Sequence, residues 1–192
     1  GSKIETGDIK YIINPYDEFA IEEALKIKEK AGAGEVVIAS FETDAAKELI
    51  IKGLAMGADR GLLISSDGLE GADSLAIAKV LSAAVKAENA DLVLCGKQAI
   101  DDDNMHVGVM VAELLKWPHV NVVTKLALNG KTATVEREVE PLLMPPLMVY
   151  SPLGRLTTAL TAPLVRLSRF VLLAQLANSQ LSKRHRLSRQ RS

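Results

Sequence analysis

The sequence predicts an α/β fold, a three-layer α/β/α domain built on a mostly parallel sheet. Three observations predict it. Glu35-Val-Val-Ile-Ala39, Arg60-Gly-Leu-Leu-Ile64 and Asp91-Leu-Val-Leu-Cys95 are short apolar runs without polar alternation, as in strands covered on both faces. The stretches between them carry apolar residues at helical spacing. A polar loop, residues 96–108, joins the last run to a helical stretch. Open α/β folds of the Rossmann-like type bind nucleotides at such a connection.

In chain order, Lys10-Tyr-Ile-Ile13 reads as a short strand ended by Pro15, which lacks a donor and restricts its predecessor. Residues 16–30 set Phe19, Ala20, Ala24, Leu25 and Ile27 near helical spacing, with Glu and Lys opposite, and predict a helix. Asp17 and Asp44 are candidate caps for helices that follow them. Residues 45–57 predict a helix closed by Gly57. Residues 60–64 form the next strand, 74–89 an Ala/Leu-rich helix, and 107–116 a helix with an apolar face. Residues 122–128 and 133–138 predict a hairpin, with Asn129-Gly130 as its two-residue turn. Residues 159–181 read as a helix apolar on most sides, interrupted by Arg166 and Arg169.

At 192 residues the chain can hold one ordinary domain with a substantial core, or one domain plus an appendage. A net charge of −1 gives no reason to expect nucleic acid or an acidic membrane. The single cysteine excludes an internal disulfide and fits a reducing compartment. The first twenty residues lack a secretory pattern, and no long uncharged apolar stretch predicts membrane insertion. The charge is sharply divided, −9 through Glu140 and +8 beyond it, where no acid occurs. This break sets the expected units: residues 1–140, a nucleotide-binding α/β domain, and residues 141–192, an atypical basic tail. The tail reads as a chain junction or shifted reading frame in preference to a functional basic tail, in which Lys183-Arg-His-Arg186, Arg189 and Arg191 would touch phosphates or an anionic surface.

The loop carries the chemistry. A helix start offers unpaired N–H groups and a positive dipole end to a phosphate. Asp101, Asp102 and Asp103 cannot all face it, since each exposed like-charge pair costs on the order of 1 kcal/mol in water. The expected division puts N–H groups near residues 104–107 on phosphate and one Asp on ribose or adenine. Another Asp would cap the helix starting near Met105. Taken alone, the three aspartates read better as a solvated capping loop. Asp102 and His106 make two metal ligands without a third, so no metal site is expected. His119 reads as a surface loop residue, Cys95 as a buried strand end, and Met56, Met105 and Met110 as packing residues. Lys97 faces phosphate or solvent with equal plausibility. No nucleophile–base pair, P-loop or Cys/His framework occurs, so the chain is not expected to be an enzyme.

Gly96-Lys-Gln-Ala-Ile-Asp-Asp-Asp103, with Glu113-Leu-Leu-Lys-Trp-Pro118 after it, resembles the β subunit of electron transfer flavoproteins. Asn14-Pro-Tyr-Asp-Glu18, Leu54-Ala-Met-Gly-Ala-Asp-Arg-Gly61 and Val135-Glu-Arg-Glu-Val139 resemble further motifs of that family, in its order. The resemblance covers about residues 6–140. It implies a structural AMP bound by Asn14, Pro15, Tyr16 and Asp17 together with Gly96, Lys97, Gln98, Ala99, Ile100, Asp101, Asp102, Asp103, Asn104, Met105, His106 and Val107. Asp102, Met105, His106 and Val107 would lie closest, the last three through their main chain. It implies Tyr16 near a flavin, and Glu138 pairing across subunits and influencing the flavin domain's position.

The partner so implied is an electron transfer flavoprotein α subunit that mainly holds FAD, in a heterodimer. Electrons would pass from acyl-CoA and related dehydrogenases to a quinone-linked acceptor, the redox chemistry belonging to FAD. The implied location is bacterial cytoplasm, or the mitochondrial matrix in a eukaryote. Departures accompany the match. His106 stands where the family usually has Gln, and Phe41 where it has a small residue, so the ring either stacks on adenine or blocks it. The family's first strand is absent, which predicts an exposed sheet edge. Its L-N-E-P-R-Y loop is absent too, and residues 141–150 retain a faint echo of the strand before it. Two rivals remain at this level: a stand-alone adenine-nucleotide-binding protein of universal-stress type, and a metal-dependent phosphohydrolase using Asp101–Asp103 and His106. The first usually carries a glycine-rich phosphate loop that this chain lacks; metal-dependent turnover would mark the second.

Overall fold

Apolar strands covered by helices on both faces dominate the computed structural model. It describes residues 11–69, 71–100, 103–129, 132–137, 147–150, 162–163, 169–173 and 176–178. Along the chain lie β1 (Tyr11–Ile13), α1 (Pro15–Ala31), β2 (Glu35–Glu42), α2 (Lys47–Met56), β3 (Arg60–Ser65) and α3 (Ser74–Ala87). They are followed by β4 (Leu92–Gly96), α4 (His106–Leu115), β5 (His119–Asn129), β6 (Thr132–Arg137), β7 (Leu147–Tyr150), β8 (Ala162–Pro163), β9 (Arg169–Leu173) and β10 (Leu176–Asn178). Eight strands form one sheet in the order β3-β2-β9-β4-β7-β5-β6-β8, while β1 and β10 pair separately. The first four strands of that order run parallel, and β7, β5, β6 and β8 continue antiparallel.

Strand alternation separates two cores. Val36, Ile38, Leu92 and Leu94 pack with Ala20, Ile21, Ala24 and Ile27 of α1 and Leu49 of α2. Val37, Ala39, Val93 and Cys95 face the other way, onto Ala78, Leu81 and Val85 of α3 and Val107, Val111, Ala112 and Leu115 of α4. The expected three layers are therefore present, with the parallel strands at their centre. Each large apolar side chain so covered contributes roughly 1.5–3 kcal/mol.

Several local readings are corrected. Asn14, not Asp17, caps α1, its side-chain oxygen accepting from Tyr16 N–H at 3.4 Å. Pro15 occupies the first helical turn, where its missing N–H is harmless. Asp44 opens a short 3-10 turn before α2 and pairs with Lys47 at 2.7 Å instead of capping the helix. Asn129 pairs with Thr132, so it is the last residue of β5 and not the first of the turn. His119 begins β5, opposite Tyr150, and does not lie in a loop. Met110 packs as expected, but Met56 and Met105 are exposed.

The largest correction concerns residues 159–181. Their described portions are strands β8, β9 and β10, not a helix. Arg169-Phe-Val-Leu-Leu173 is a five-residue, mostly apolar run, and such runs cannot be assigned to helix or strand by periodicity alone. A partner on each side decides it: β9 lies parallel between β2 and β4, the position for which the sequence predicts an open edge. The basic residues at 183–191 lie outside the described residues.

Charges tie the amino ends of the parallel strands. Asp59 accepts from Val36 N–H at 2.7 Å and from Lys28 Nζ at 2.5 Å. Desolvation raises the Asp59 pKa, but the bonds from Lys28 and Val36 and the charges of Lys28 and Arg60 outweigh it and hold it below the usual carboxylate range. Arg60 bridges Glu35 and Glu88, both at 2.5 Å, and these bonds raise its pKa. Among the described residues, no helix is long and apolar enough to cross a membrane.

Candidate functional site

The opposite, carboxyl end of the parallel strands gathers the residues singled out by sequence. β4 ends at Gly96, and α1 begins beside it. Gly96 N–H donates to Asp17 Oδ1 at 2.6 Å. Asn14 Nδ2 donates to Gln98 C=O at 2.8 Å and to Asp17 Oδ2 at 3.2 Å. Asn14 and Asp17 are each only 1% exposed, so these bonds satisfy polar groups that burial would otherwise penalise. Glycine is required at 96 by space. A Cβ there would sit 2.7 Å from Asp17 Oδ1 and from Tyr16 Cβ, and 2.9 Å from Asp17 N. Lys97 places its ammonium 5.3 Å from the centre of the Tyr16 ring, a cation–π contact across the same junction.

Beyond this junction the loop is held by its own polar groups. Ala99 N–H donates to Asn104 C=O at 3.0 Å, and Gln98 Nε2 to Asp103 Oδ1 at 2.9 Å. Asp103 adopts a left-handed backbone, φ 57°, which aspartate tolerates better than most residues. Its carboxylate is thus turned onto Gln98. No side chain caps α4, whose cap position is Met105; Asn104, one residue earlier, accepts from His106 N–H at 2.8 Å. Asn104 Nδ2 also donates to Ser74 Oγ at 2.9 Å, fixing the α4 start to the α3 start.

The first turn of α4 then presents Val107 and Gly108 N–H groups that have no intrahelical acceptor. Val107 buries its side chain in the α3/α4 core, leaving only its main chain for the loop. His106, Met105 and Ile100 are exposed. Phe41 packs against the α3/α4 core, one face away from α1. Asp101, Asp102 and Glu138 lie outside the described residues. Asn14, Tyr16, Asp17, Gly96, Lys97 and Gln98 are thus brought together, and Asp103 to Val107 form the adjoining rim.

Two residues escaped the sequence reading. Ser74, on α3, holds the loop through Asn104. Ser40, in β2, is 1% exposed, and its hydroxyl has no hydrogen-bond partner among the described residues. The signal for Ser40 was available: a polar residue at an inward position of an otherwise apolar strand.

The Electron transfer flavoprotein domain model matches residues 2–142. The chain is 44% identical over 140 residues to electron transfer flavoprotein subunit beta of Bradyrhizobium diazoefficiens, covering 73% of this chain and 55% of that protein. It is 44% identical over 139 residues to the mitochondrial subunit beta of Oryza sativa subsp. japonica, covering 71% and 55%. With subunit beta of Mus musculus it shares 39% over 141 residues, covering 72% and 55%. The chain spans about half the length of the curated relatives it matches. The motifs joined at Gly96 fall within the matched residues, and the chain belongs to the electron transfer flavoprotein family.

Proposed function

We propose that this chain is the nucleotide-binding part of an electron transfer flavoprotein β subunit, holding AMP as a structural ligand. One observation carries the reading: Asn14 and Asp17 bind the main chain of Gly96 and Gln98 at the carboxyl end of the parallel strands. Both family motifs thereby border one edge, the position at which open α/β sheets take ligands. The residues suit a nucleotide. Free N–H groups at the start of α4 favour phosphate, and the bond from Gln98 draws the Asp103 carboxylate aside, easing repulsion. The residues proposed to hold AMP are Asn14 to Asp17 and Gly96 to Val107, with Asp102 on the sugar or base.

The partner in this reading is an α subunit that mainly holds FAD, with Tyr16 and Glu138 toward that interface. FAD supplies the redox chemistry when bound. This chain contributes placement and no catalytic residue. Acyl-CoA and related dehydrogenases would donate electrons, and a quinone-linked carrier would accept them, in bacterial cytoplasm or a mitochondrial matrix. Native mass spectrometry of the purified chain, with small molecules identified after denaturation, tests the reading. Stoichiometric AMP is expected, and added α subunit should give a heterodimer with flavin absorbance. A folded chain that neither retains nor rebinds AMP would overturn it.

A further inference from the structure

We infer that two copies of this chain pair along the free edge of the sheet, β3 against β3, about a twofold axis at Leu63. The inference stands apart from the nucleotide reading, whose residues gather around β4, α1 and α4. β3 ends the eight-strand order and, among the described residues, pairs only with β2. Its outer N–H and C=O groups are a template for a further strand. Such edges are ordinarily blunted by charge, proline or a bulge. Gly61-Leu-Leu-Ile64 carries none of these, and its register on β2 is unbroken. The one charge at its start, Arg60, is already held by Glu35 and Glu88.

Both cores stop incomplete at this edge. On one face Gly61 lies beneath Ile50 and Leu54 of α2. Helical spacing sets Lys47, Ile51 and Leu54 on one stripe of α2, on the same flank as Ile50, while Met56 lies on the opposite flank, toward Leu25 of α1. That stripe therefore looks past β3, with Ile51 61% exposed and Leu54 37%. On the other face Leu62 and Ile64 are only half covered by the α3/α4 core, as is Ile77 of α3.

A second copy completes both. Antiparallel pairing of like strands about an axis normal to the sheet brings α2 layer to α2 layer and α3 layer to α3 layer. Opposed residues share a face, so the axis must pass through a residue and not between two. Through Leu63, it sets Leu63 against its own copy beneath α2, Leu62 against Ile64 beneath α3, and Gly61 against Ser65. Arg60 then falls opposite Ser66, and no like charges meet along the strands. An axis through Leu62 would instead lay Arg60 against Ile64. Lys47, the charged member of the α2 stripe, is paired with Asp44 at 2.7 Å, so the α2 starts meet with balanced charge.

Sedimentation equilibrium of the full chain tests this, on the wild type, Ile51→Lys and Leu63→Lys, with circular dichroism to verify folding. The wild-type mass should rise from one copy toward two between about 1 and 200 μM, as for a small interface. Each lysine enters twice at the axis and should raise the dissociation constant at least about tenfold. Ile51→Lys changes an exposed side chain, so it reads the interface even where Leu63→Lys lowers stability. Oxidation of Leu63→Cys should yield a covalent dimer, because opposed Cα atoms at roughly 4.5–5.5 Å suit a disulfide. Lys30→Cys, at the exposed end of α1, should stay monomeric under the same oxidation. AMP should leave the association unchanged. A wild type that remains a single copy throughout, or a dimer that persists in a folded Ile51→Lys protein, overturns the inference. Equal cross-linking of Leu63→Cys and Lys30→Cys overturns it as well.

Discussion

Asp17 accepts the N–H of Gly96 at 2.6 Å, although 79 residues separate them in sequence. The contact joins the start of α1 to the end of β4 and leaves no volume at residue 96 for a side chain.

Gly96→Ala should therefore be among the most damaging single-methyl changes in the chain. The new Cβ meets Tyr16 Cβ and Asp17 main chain within 3 Å, neither of which is a flexible tip. Overpacking of this kind costs about 1–3 kcal/mol. Urea denaturation followed by circular dichroism should show a lowered midpoint at unchanged slope, and AMP affinity should fall with it.

Asp17→Ala tests the same junction from the other side. It strands the Gly96 N–H and one donor of Asn14 in a buried setting, at about 1–3 kcal/mol. Asn14→Ala should cost a similar amount, about 0.5–2 kcal/mol for a lost cap plus about 0.5–1.5 kcal/mol for the bond to Gln98. In a double-mutant cycle the two losses should be less than additive, since the side chains bond each other.

At the far end of the sheet, Asp59 gives a pH signature. Its folded-state pKa lies below the unfolded value of about 3.9. The stability it contributes is therefore present above that unfolded value and is lost as pH falls through the folded one. Asp59→Asn should be less stable than wild type at pH 7, and the two should converge in acid. The pair is partly exposed and screened, so the difference should stay below about 1 kcal/mol. Equal stability at pH 7 would show that Lys28 and Val36 N–H find other partners.

Val171→Pro probes the placement of β9. Val171 pairs with Val37 on one side and Val93 on the other, so proline at this central position disrupts a ladder. Removing one bond and stranding its partner should cost more than about 1 kcal/mol. Hydrogen exchange at Val37 and Val93 amides should rise together.

Much of this architecture was legible because its strands are continuous apolar runs. Val36 to Ala39 and Leu92 to Cys95 announce two-sided burial, and the helices between them follow from spacing. The meeting of Asn14 with Gln98 was legible only through family motifs, because no local pattern encodes a contact across 84 residues. The identity of the caps was misread since Asn14, Asp17, Asp44 and Asn104 are all chemically fit for the task. Which one serves depends on the strand beside it. β9 was missed because five residues of mixed propensity become a strand only when two edges await them. Ser40 shows the reverse case: its strand was predicted, but whether its hydroxyl is satisfied is a property of the folded surroundings.

The central position of β9 also has a temporal meaning. Val37 and Val93 must wait for Val171, which the ribosome delivers long after either of them. Until then β2 and β4 remain unzipped along the edges that later become the middle of the sheet. Such late, long-range closure slows folding and leaves sticky backbone on display during synthesis. Newly made chains should therefore draw on chaperones until Val171 has emerged and the sheet has closed.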